Sequence, residues 1–464
     1  MVRSYLYLAS LLLPTSVALG GCRISYELLE RTDGSLGGAG TSDGSGAGSS
    51  EGSGGSSSLG GADTGGDGGD SGGSTSAGGS GSGSGGAGSG SGGAGGGSGG
   101  TSSGGSGGSS GGAMGSGGVS GSGGSGSGGA PAIDYPVTTS VDENDPGATV
   151  ASPGQTGLSL REALTLANET PGSQTIGLEP DATLVLESVL PLITDAAVLL
   201  GEGASLDFSS ALSATACIHS QASNVSIRDV EVSGCTGEPI FLADVAATGL
   251  ELLGSYLHDN GQAATIYGVG SLVVGNRITG SGATGLAAYG PSPQIRDNQI
   301  LDHQNAGIFL HSAADGALLV GNLVARADVG VSFGSLSGAT MWFNTVHACV
   351  GFGVSVGQAT GVDFRNNIVT GSGTSGVNAA DNRFTVITHN LFFENVSGAC
   401  NSCTPGAPAL MSDPEYVDES ADDFSLQLTS PAINAGVDVG EDRNGSSAGN
   451  FDGSAPDLGC IEVN

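Results

Sequence analysis

Short alternating runs of apolar and polar residues recur through the second half of the chain. Examples are SLVVGNRI at 271–278, GIFLHS at 307–312 and GVSVG at 353–357. Alternation over about four to six residues, rich in β-branched side chains, predicts short strands. Helices would need a helical apolar period sustained over about ten residues or more, and these segments lack it. This part of the chain is therefore predicted to be all-β.

A repeat underlies these runs. An Asn followed two residues later by Ile, Val or Phe recurs with spacings of 22, 24, 22, 22 and 24 residues. The positions are Asn276, Asn298, Asn322, Asn344, Asn366 and Asn390. A unit this short cannot close a core alone, whereas stacked units bury a continuous one. The repeat predicts a parallel β-helix with its coils at 201–398.

The recurring Asn residues have a structural interpretation. Equivalent residues of stacked coils lie ~4.8 Å apart, so a buried Asn at a tight turn can hydrogen-bond to its copies in neighbouring coils. Asn also tolerates the left-handed backbone of such a turn. We interpret these positions as the asparagine ladder of right-handed β-helices, and not as a binding site.

Residues 1–21 have the features of a secretory signal. Arg3 precedes an apolar stretch too short to span a membrane, which needs ~20 apolar residues. The sequence LGGC at 19–22 is similar to a bacterial lipobox, so Cys22 is expected to be lipidated and to anchor the protein. Arg23 stands where the inner-membrane retention signal has Asp, which favours the outer membrane or cell surface. An ordinary cleaved signal that ends near a Cys is the alternative.

Glycine and serine dominate residues 22–131, which contribute most of the 90 Gly residues of the 464-residue chain. This segment has almost no apolar surface to bury, so burial cannot offset the entropy lost on ordering. We expect a disordered tether. Its Gly/Ser-rich part, 33–130, would reach ~50–60 Å.

Charge limits the partners. The chain has 45 acidic and 11 basic residues and a formal net charge of −34. It lacks the basic footprint of a nucleic-acid-binding protein and a polybasic patch for anionic lipid. Nucleic acid is therefore not an expected partner, and membrane attachment would depend on the lipid anchor. Like charge also disfavours uronate polymers, so neutral or cationic ligands are expected.

A segment before the repeat carries a family resemblance. Residues 157–178 (GLSLREALTLANETPGSQTIGL) are similar to the CSLREA motif at the start of many bacterial surface β-helices, with Leu158 in place of the Cys. One apolar helix stripe is formed by Leu160, Ala163, Leu164 and Ala167. Such a helix can cap the open end of a solenoid, so residues 132–200 are predicted to be an N-terminal capping region.

The C-terminal region, 399–464, resembles the choice-of-anchor Q group that also follows β-helices. The matching residues are Asp413, Pro414, Phe424, Leu426, Ser430, Pro431, Ala432, Ile433, Ala435, Gly436, Asp452, Gly453, Pro456, Asp457, Gly459 and Glu462. Together with the repeat, the chain resembles pectin-lyase-like right-handed parallel β-helix proteins over almost everything after residue 135. The resemblance implies an architecture and no particular activity, since one fold hosts many functions.

The cysteines fit an exported chain, in which disulfides are permitted. Cys217 and Cys235 lie 18 residues apart, near one coil repeat, and are expected on neighbouring coils. Cys400 and Cys403 form a CxxC motif. A zinc site would need a second pair and a redox site a thioredoxin-like context. We expect a structural disulfide between these two or with Cys460.

Three aromatic residues recur at a constant spacing after one predicted strand. Tyr267, Tyr289 and His311 are each 22 residues apart and are expected to point outward. Rings ~4.8 Å apart on an outer face would form a ligand-binding platform for sugar rings. A surface aromatic ladder that only stabilises the sheet is the alternative.

A second set of candidates follows the strand after the Asn turns. Asp259, Asp302 and Arg326 are the candidate catalytic residues. Asp259 and Asp302 would lie two coils apart, roughly 10 Å, which is slightly wide for the carboxylate pair of an inverting glycosidase. Asp302 and Arg326 would lie in neighbouring coils and could form an ion pair. Solvated charges and salt bridges are the competing interpretation.

The C-terminal loop is rich in acids. Asp442, Asn444 and Asp452 are candidate ligands for a structural Ca²⁺ ion, because hard oxygen ligands on a flexible loop suit that ion. The loop lacks the EF-hand spacing. No other cofactor is expected.

These features predict a lipid-anchored surface protein that displays a β-helix on a tether. A glycan-binding, adhesin-like or structural module is the leading interpretation, with a polysaccharide or cell-surface glycan as partner. A polysaccharide lyase or glycoside hydrolase acting on the outer face of the β-helix is the alternative.

Overall fold

The computed structural model of the chain describes residues 132–211, 216–242, 246–280, 282–445 and 449–463. The predicted signal peptide, Cys22 and the Gly/Ser tether lie outside these residues. The described residues form an all-β parallel solenoid of about ten coils, as the repeat predicted.

A single α-helix among the described residues, Leu160–Glu169, packs against the first coil. It begins with a capping box, in which the Ser159 hydroxyl accepts from the Glu162 N–H and the Glu162 carboxylate accepts from the Ser159 N–H. The predicted apolar stripe is buried: Leu160, Ala163, Leu164 and Ala167 are 3% exposed or less. The helix contacts strands Tyr135–Pro136 and Gln174–Gly177, where the solenoid begins.

The strands of the solenoid form three parallel stacks. The first stack contains Tyr135–Pro136, Gln174–Gly177, Glu251–Leu253, Leu272–Val274, Gln294–Arg296, Leu318–Val320, Thr340–Trp342, Val362–Arg365 and Phe384–Thr388. The second stack contains Thr183–Val185, Tyr256–His258, Arg277–Thr279, Gln299–Leu301, Leu323–Ala325, Thr345–His347, Ile368–Thr370, Asn390–Phe393 and Ala409–Leu410. The longer strands Ala197–Asp207 and Val225–Ser233 belong to both of these stacks.

The third stack is a separate sheet. It contains Ile218–Ser220, Ile240–Leu242, Ala264–Ile266, Leu286–Ala288, Ala306–Leu310, Val329–Phe333, Val354–Ser355, Val377–Asn378 and Cys400–Asn401. Each coil places one or more apolar side chains of every stack inward. In one coil Val273, Ile278 and Leu286 come from the three stacks and are 2% exposed or less. Stacking these coils buries one continuous apolar core.

The corner between the first and second stacks contains the asparagine ladder. Asn276, Asn298, Asn322, Asn344, Asn367 and Asn390 are 1% exposed or less. From Asn298 onward, the side-chain Oδ1 accepts hydrogen bonds from the backbone and side-chain amides of the ladder residue one coil earlier, as from Asn298 to Asn322 at 3.1 and 2.9 Å. The Oδ1 of Asn276 accepts from the Ser255 N–H at 2.9 Å. The Asn322 Nδ2 donates to the Ile295 carbonyl at 2.8 Å. The ladder therefore satisfies buried polar groups that no strand pairing reaches.

One ladder position differs from the sequence-based prediction. The ladder residue of its coil is Asn367, and the predicted Asn366 is the residue before it, with a φ of 59°. The Asn366 amide instead exchanges hydrogen bonds with the backbone of Val437, at 2.8 and 2.9 Å. The left-handed residue of this corner thus precedes the ladder Asn, and adjacent Asn residues could not be distinguished by spacing alone.

The C-terminal segment lies on the outer face of the second stack. The last solenoid strands of the region predicted as 399–464 are Cys400–Asn401 and Ala409–Leu410, and the outer segment follows them. It contains an antiparallel pair, Tyr416–Asp418 with Asp423–Leu426. Its apolar side chains pack on outward residues of the second stack: Leu301, Leu323, Ala325, Ile368 and Leu391 cluster with Tyr416, Phe424, Leu426, Ala432, Leu458 and Cys460. Among the described residues, no helix is long and apolar enough to cross a membrane.

The described residues contain two disulfides. Cys217 bonds to Cys235 on the neighbouring coil, with a Cα–Cα distance of 6.1 Å, and Cys400 bonds to Cys403 at 5.2 Å. Cys460 is buried and reduced, so the alternative pairing with the CxxC motif is not formed.

Removing one ladder rung should destabilise the protein strongly. Asn322→Ala leaves the Ile295 carbonyl and the Asn298 amides without the partners described above, and an unsatisfied buried group costs about 1–3 kcal/mol. We expect the free energy of unfolding to fall by roughly 2–5 kcal/mol in denaturant titrations. The control is Asn305→Ala at an exposed turn, which should change it by about 0.5 kcal/mol or less. Equal effects of the two variants would contradict a stabilising ladder.

The C-terminal segment contains a buried carboxyl group. Glu462 is 2% exposed, and its carboxylate accepts from the backbone N–H groups of Asp452 and Asp457, both at 3.0 Å. Burial nevertheless raises the pKa of Glu462 from 4.5 to about 7. A carboxyl with a raised pKa stabilises the folded state fully below its unfolded pKa, and this contribution is lost as pH rises through the folded pKa.

The segment should therefore be more stable at about pH 5 than at about pH 8. We expect the melting temperature to fall over this range and Glu462→Gln to reduce the fall, because Gln cannot ionise. Glu179→Gln at an exposed site is the matched control. A pH dependence unchanged by Glu462→Gln would show that ionisation of Glu462 does not cause it.

Candidate functional site

The three recurring aromatic residues form a column on the outer face of the third stack. The ring centroids of Tyr267 and Tyr289 lie 4.4 Å apart with planes at 14°, and those of Tyr289 and His311 lie 4.6 Å apart at 29°. All three side chains are partly exposed. The preceding residues, Ile266, Ala288 and Leu310, are inward and 1% exposed or less. The structure thus brings together the three predicted ligand-binding residues.

The backbone sets the spacing of this column. The N–H of Tyr267 donates to the Leu242 carbonyl, that of Tyr289 to the Ile266 carbonyl and that of His311 to the Ala288 carbonyl, at 2.7–2.9 Å. Each aromatic residue is therefore held one coil from the next, and the ring separation matches the ~4.8 Å between parallel strands. Consequently the rings cover one another's faces along the column.

Two phenylalanines extend the aromatic surface. Phe241 contacts Tyr267 edge-on at 5.7 Å, and Phe309 contacts Tyr289 at 6.2 Å. They occupy the outward position two residues before the column, where the intervening coils have Thr265 and Ala287. Neither was predicted as a site residue, although alternation within the same strands identifies both as outward residues.

Glu238 lies near the tyrosine end of the column. Its Oε1 accepts from the Thr265 hydroxyl at 2.7 Å. Burial raises the pKa of the Glu238 carboxyl. Burial is also the main cause of the raised pKa of Tyr267 and Tyr289, and the negative charge of Glu238 adds to both shifts.

The candidate catalytic residues all lie at the corner that follows the second stack. One residue per coil has a positive φ there: Gly234, Asp259, Gly280, Asp302, Arg326, Ala348, Gly371 and Glu394. Left-handed backbone favours Gly, Asn and Asp. The recurrence of Asp at this corner thus has a backbone explanation that requires no catalytic role.

Asp302 and Arg326 form an ion pair between neighbouring coils. The guanidinium donates through Nε and Nη2 to the two carboxylate oxygens at 2.7 and 2.9 Å. Arg326 also pairs with Asp422 of the C-terminal segment at 2.8 Å. The hydrogen bond from Arg326 lowers the pKa of Asp302, and the bond to Asp302 raises that of Arg326. An acid with a lowered pKa is a poor proton donor at neutral pH.

Asp259 belongs to a histidine cluster two coils earlier. His258 contacts Asp259 through Nδ1 at 2.8 Å and Glu231 through Nε2 at 3.0 Å, and its ring stacks on Tyr256 at 4.5 Å. The hydrogen bond with Glu231 is the main cause of the raised pKa of His258. Arg277 lies over the Tyr256 ring at 5.6 Å. Neither Glu231 nor Tyr256 was predicted from the sequence. Tyr256 lies two residues before His258 in the same strand, whereas Glu231 becomes a neighbour of His258 through strand register.

The two candidate sites occupy different parts of each coil. The aromatic column follows the strands of the third stack, whereas Asp259, Asp302 and Arg326 follow the strands of the second stack. The turn and the third-stack strand of each coil lie between them. In the described residues, the aromatic column and the candidate catalytic residues therefore do not line one groove.

The candidate calcium ligands are engaged in local hydrogen bonds. Asp442 accepts from the Gly445 N–H at 2.7 Å, and Asn444 donates to Asp452 at 3.1 Å. Within the described ranges, no three His, Cys, Asp or Glu side chains are grouped as metal ligands.

Comparisons with known proteins agree with this architecture. Residues 205–338 match a family model described as "Right handed beta helix region". The chain is similar to the crystal structure of pectate lyase Pel9A, with 15% identity and a TM-score of 0.50 over 72% of this chain and 98% of that one. The chain has a pectin-lyase-like right-handed β-helix fold.

Other solved structures are more distantly similar. A lacto-N-biosidase from Eubacterium ramulus has 11% identity and a TM-score of 0.36, covering 60% of this chain and 66% of that one. The periplasmic alginate epimerase AlgG has 11% identity and a TM-score of 0.34, covering 54% and 81%. A comparison with curated proteins finds no match. At these identities the likeness shows the fold alone.

Left-handed backbone at the corner that follows the second stack can be tested at Ala348, whose φ is 51°. Ala348→Gly should relieve left-handed strain and raise the free energy of unfolding by up to about 1 kcal/mol. Ala325→Gly, in a regular strand, should lower it by a similar amount. Both changes are measured by denaturant unfolding. Destabilisation by Ala348→Gly would argue against a strained corner.

Proposed function

We propose that this protein is a glycan-binding surface lipoprotein, which binds its ligand on the outer face of the third stack. The observation that carries the proposal is the column of Tyr267, Tyr289 and His311, stacked in three successive coils and partly exposed. Aromatic rings beside polar groups are suited to sugars, which have apolar C–H faces and hydroxyl edges.

The composition of the same face supports this proposal. The outward positions aligned by strand register are His219, Phe241, Thr265, Ala287, Phe309, Ser332, Ser355, Asn378 and Asn401. None is an acid, a lysine or an arginine, although the chain has a net charge of −34. Strand positions without carboxylates or guanidinium groups are suited to an uncharged ligand, and the nearby Glu238 carboxylate accepts from the Thr265 hydroxyl. A ladder that served only to stabilise the sheet would not need it.

Binding is favoured over catalysis because of the ion pairs at the corner that follows the second stack. A glycosidase or lyase centred on Asp259, Asp302 and Arg326 needs a group whose pKa suits proton transfer near neutral pH. Asp302 is instead held ionised by Arg326, and Asp259 is paired with His258. We therefore assign these residues to ion pairs that stabilise the corner and hold Asp422.

Surface display is the second part of the proposal. The signal-like residues 1–21, the lipobox at Cys22 and the Gly/Ser segment support an outer-membrane anchor with a tether. A polysaccharide or another cell-surface glycan would then reach the third stack from outside the cell.

The test is a glycan array probed with the full chain, with product analysis of the same polysaccharides. We expect retention without turnover and at least about tenfold weaker binding by Tyr289→Ala, since losing a stacked ring costs on the order of 1 kcal/mol or more. The control is Tyr256→Ala, an outward Tyr on the second stack, which should bind normally. New reducing ends or unsaturated products, lost in Asp302→Asn, would instead establish an enzyme.

A further inference from the structure

The aromatic column ends abruptly at His311. The next two coils place Gly334 and Gly357 at the same position in the strand register. A Cβ at Gly334 would lie 2.8 Å from the Ser312 nitrogen and 3.0 Å from the Leu310 oxygen. Gly334 must therefore be glycine, and the column of rings cannot continue at this position.

Because the column ends at His311, only one face of its ring is covered by another ring of the column. Tyr289 covers one face of the imidazole at 4.6 Å. The opposite face is directed toward the coil of Gly334, which offers no ring to cover it. A flat ligand ring placed one coil spacing further, ~4.8 Å, would stack on this face.

Polar groups lie beside the same space. Ser332 and Ser355 are the outward residues of the next two coils, aligned with Phe309, and Asn378 follows them. Both serines are partly exposed, and neither hydroxyl is engaged by another of the described residues. A hydroxyl can donate one hydrogen bond and accept two, which matches the hydroxyl groups of a sugar.

We propose that the free face of His311 is a subsite for one neutral pyranose residue, which lies above Gly334 and Gly357 and hydrogen-bonds Ser332 and Ser355. This inference rests on the proposed glycan binding and adds its position and sugar class. The lining side chains include no Lys or Arg, and the Arg383 guanidinium donates to the Gln358 carbonyl at 3.1 Å. The Glu238 carboxylate contacts Thr265, two coils before Phe309, so it offers no ion pair to an amino sugar at this subsite.

The subsite can be tested by calorimetric titration of the full chain. The probes are cellohexaose, mannohexaose and a galactan-derived hexasaccharide, with oligogalacturonate and oligoglucosamine of equal length. We expect at least one neutral oligosaccharide to bind more tightly than both charged ones. His311→Ala should weaken it about tenfold, and His311→Phe, which keeps a ring, should remain within about threefold of the wild type.

A blocking variant separates the subsite from the rest of the column. Ser355→Tyr should fill the space and weaken binding at least about tenfold, whereas Ser233→Tyr, an outward Ser on the second stack, should bind normally. Melting temperatures of all variants identify any that fail to fold.

Three outcomes would overturn the inference. Normal binding by both His311→Ala and Ser355→Tyr, with binding still lost in Tyr289→Ala, would remove this subsite but leave glycan binding intact. Tighter binding of oligogalacturonate or oligoglucosamine would overturn the neutral-sugar assignment. Failure of the wild type to bind any probe or array glycan would overturn both proposals.

Discussion

The regular distance between parallel coils is the constraint on which the rest of this structure depends. Backbone hydrogen bonds hold equivalent residues about one strand spacing apart, and the asparagine ladder maintains that spacing at a buried corner where strand pairing is interrupted. Each ladder amide uses its donors and its acceptor within the protein. A coil that shifted along its neighbours would leave several buried polar groups unsatisfied at once.

The same spacing gives the outer faces their chemistry. On the third stack it brings Tyr267, Tyr289 and His311 to ring-stacking distance, so the rings cover one another and only the end of the column has a free face. The sugar ligand that we propose would therefore gain less from the middle of the column than from its end. The next two coils have glycine at this position, and the close approach of the backbone requires it at Gly334. The aromatic column therefore ends there, and one face of the His311 ring is not covered by a further ring.

The outer face of the second stack is partly covered by the C-terminal segment. Its outward side changes from polar in the early coils, at Tyr256 and Arg277, to apolar at Leu323 and Ile368, and the C-terminal segment covers the apolar part. Ion pairs at the edge, including Arg326 with Asp302 and Asp422, fasten this segment to the corner. The charges that looked catalytic in the sequence are thus better explained by attachment of this segment, which leaves the aromatic column of the third stack as the proposed binding face.

The sequence by itself determined the repeat, the all-β solenoid, the capping helix and the outward aromatic column, because each depends on periodicity within one or two coils. Only the tertiary structure decided which of two adjacent residues, Asn366 or Asn367, enters the ladder, since both fit the spacing and the choice depends on backbone φ. It likewise decided that Asp302 is paired with Arg326 and that Phe241 and Phe309 flank the tyrosines. It also decided that the C-terminal segment covers the second stack. These contacts join residues of different coils, so they follow from strand register and corner geometry, which no local pattern specifies.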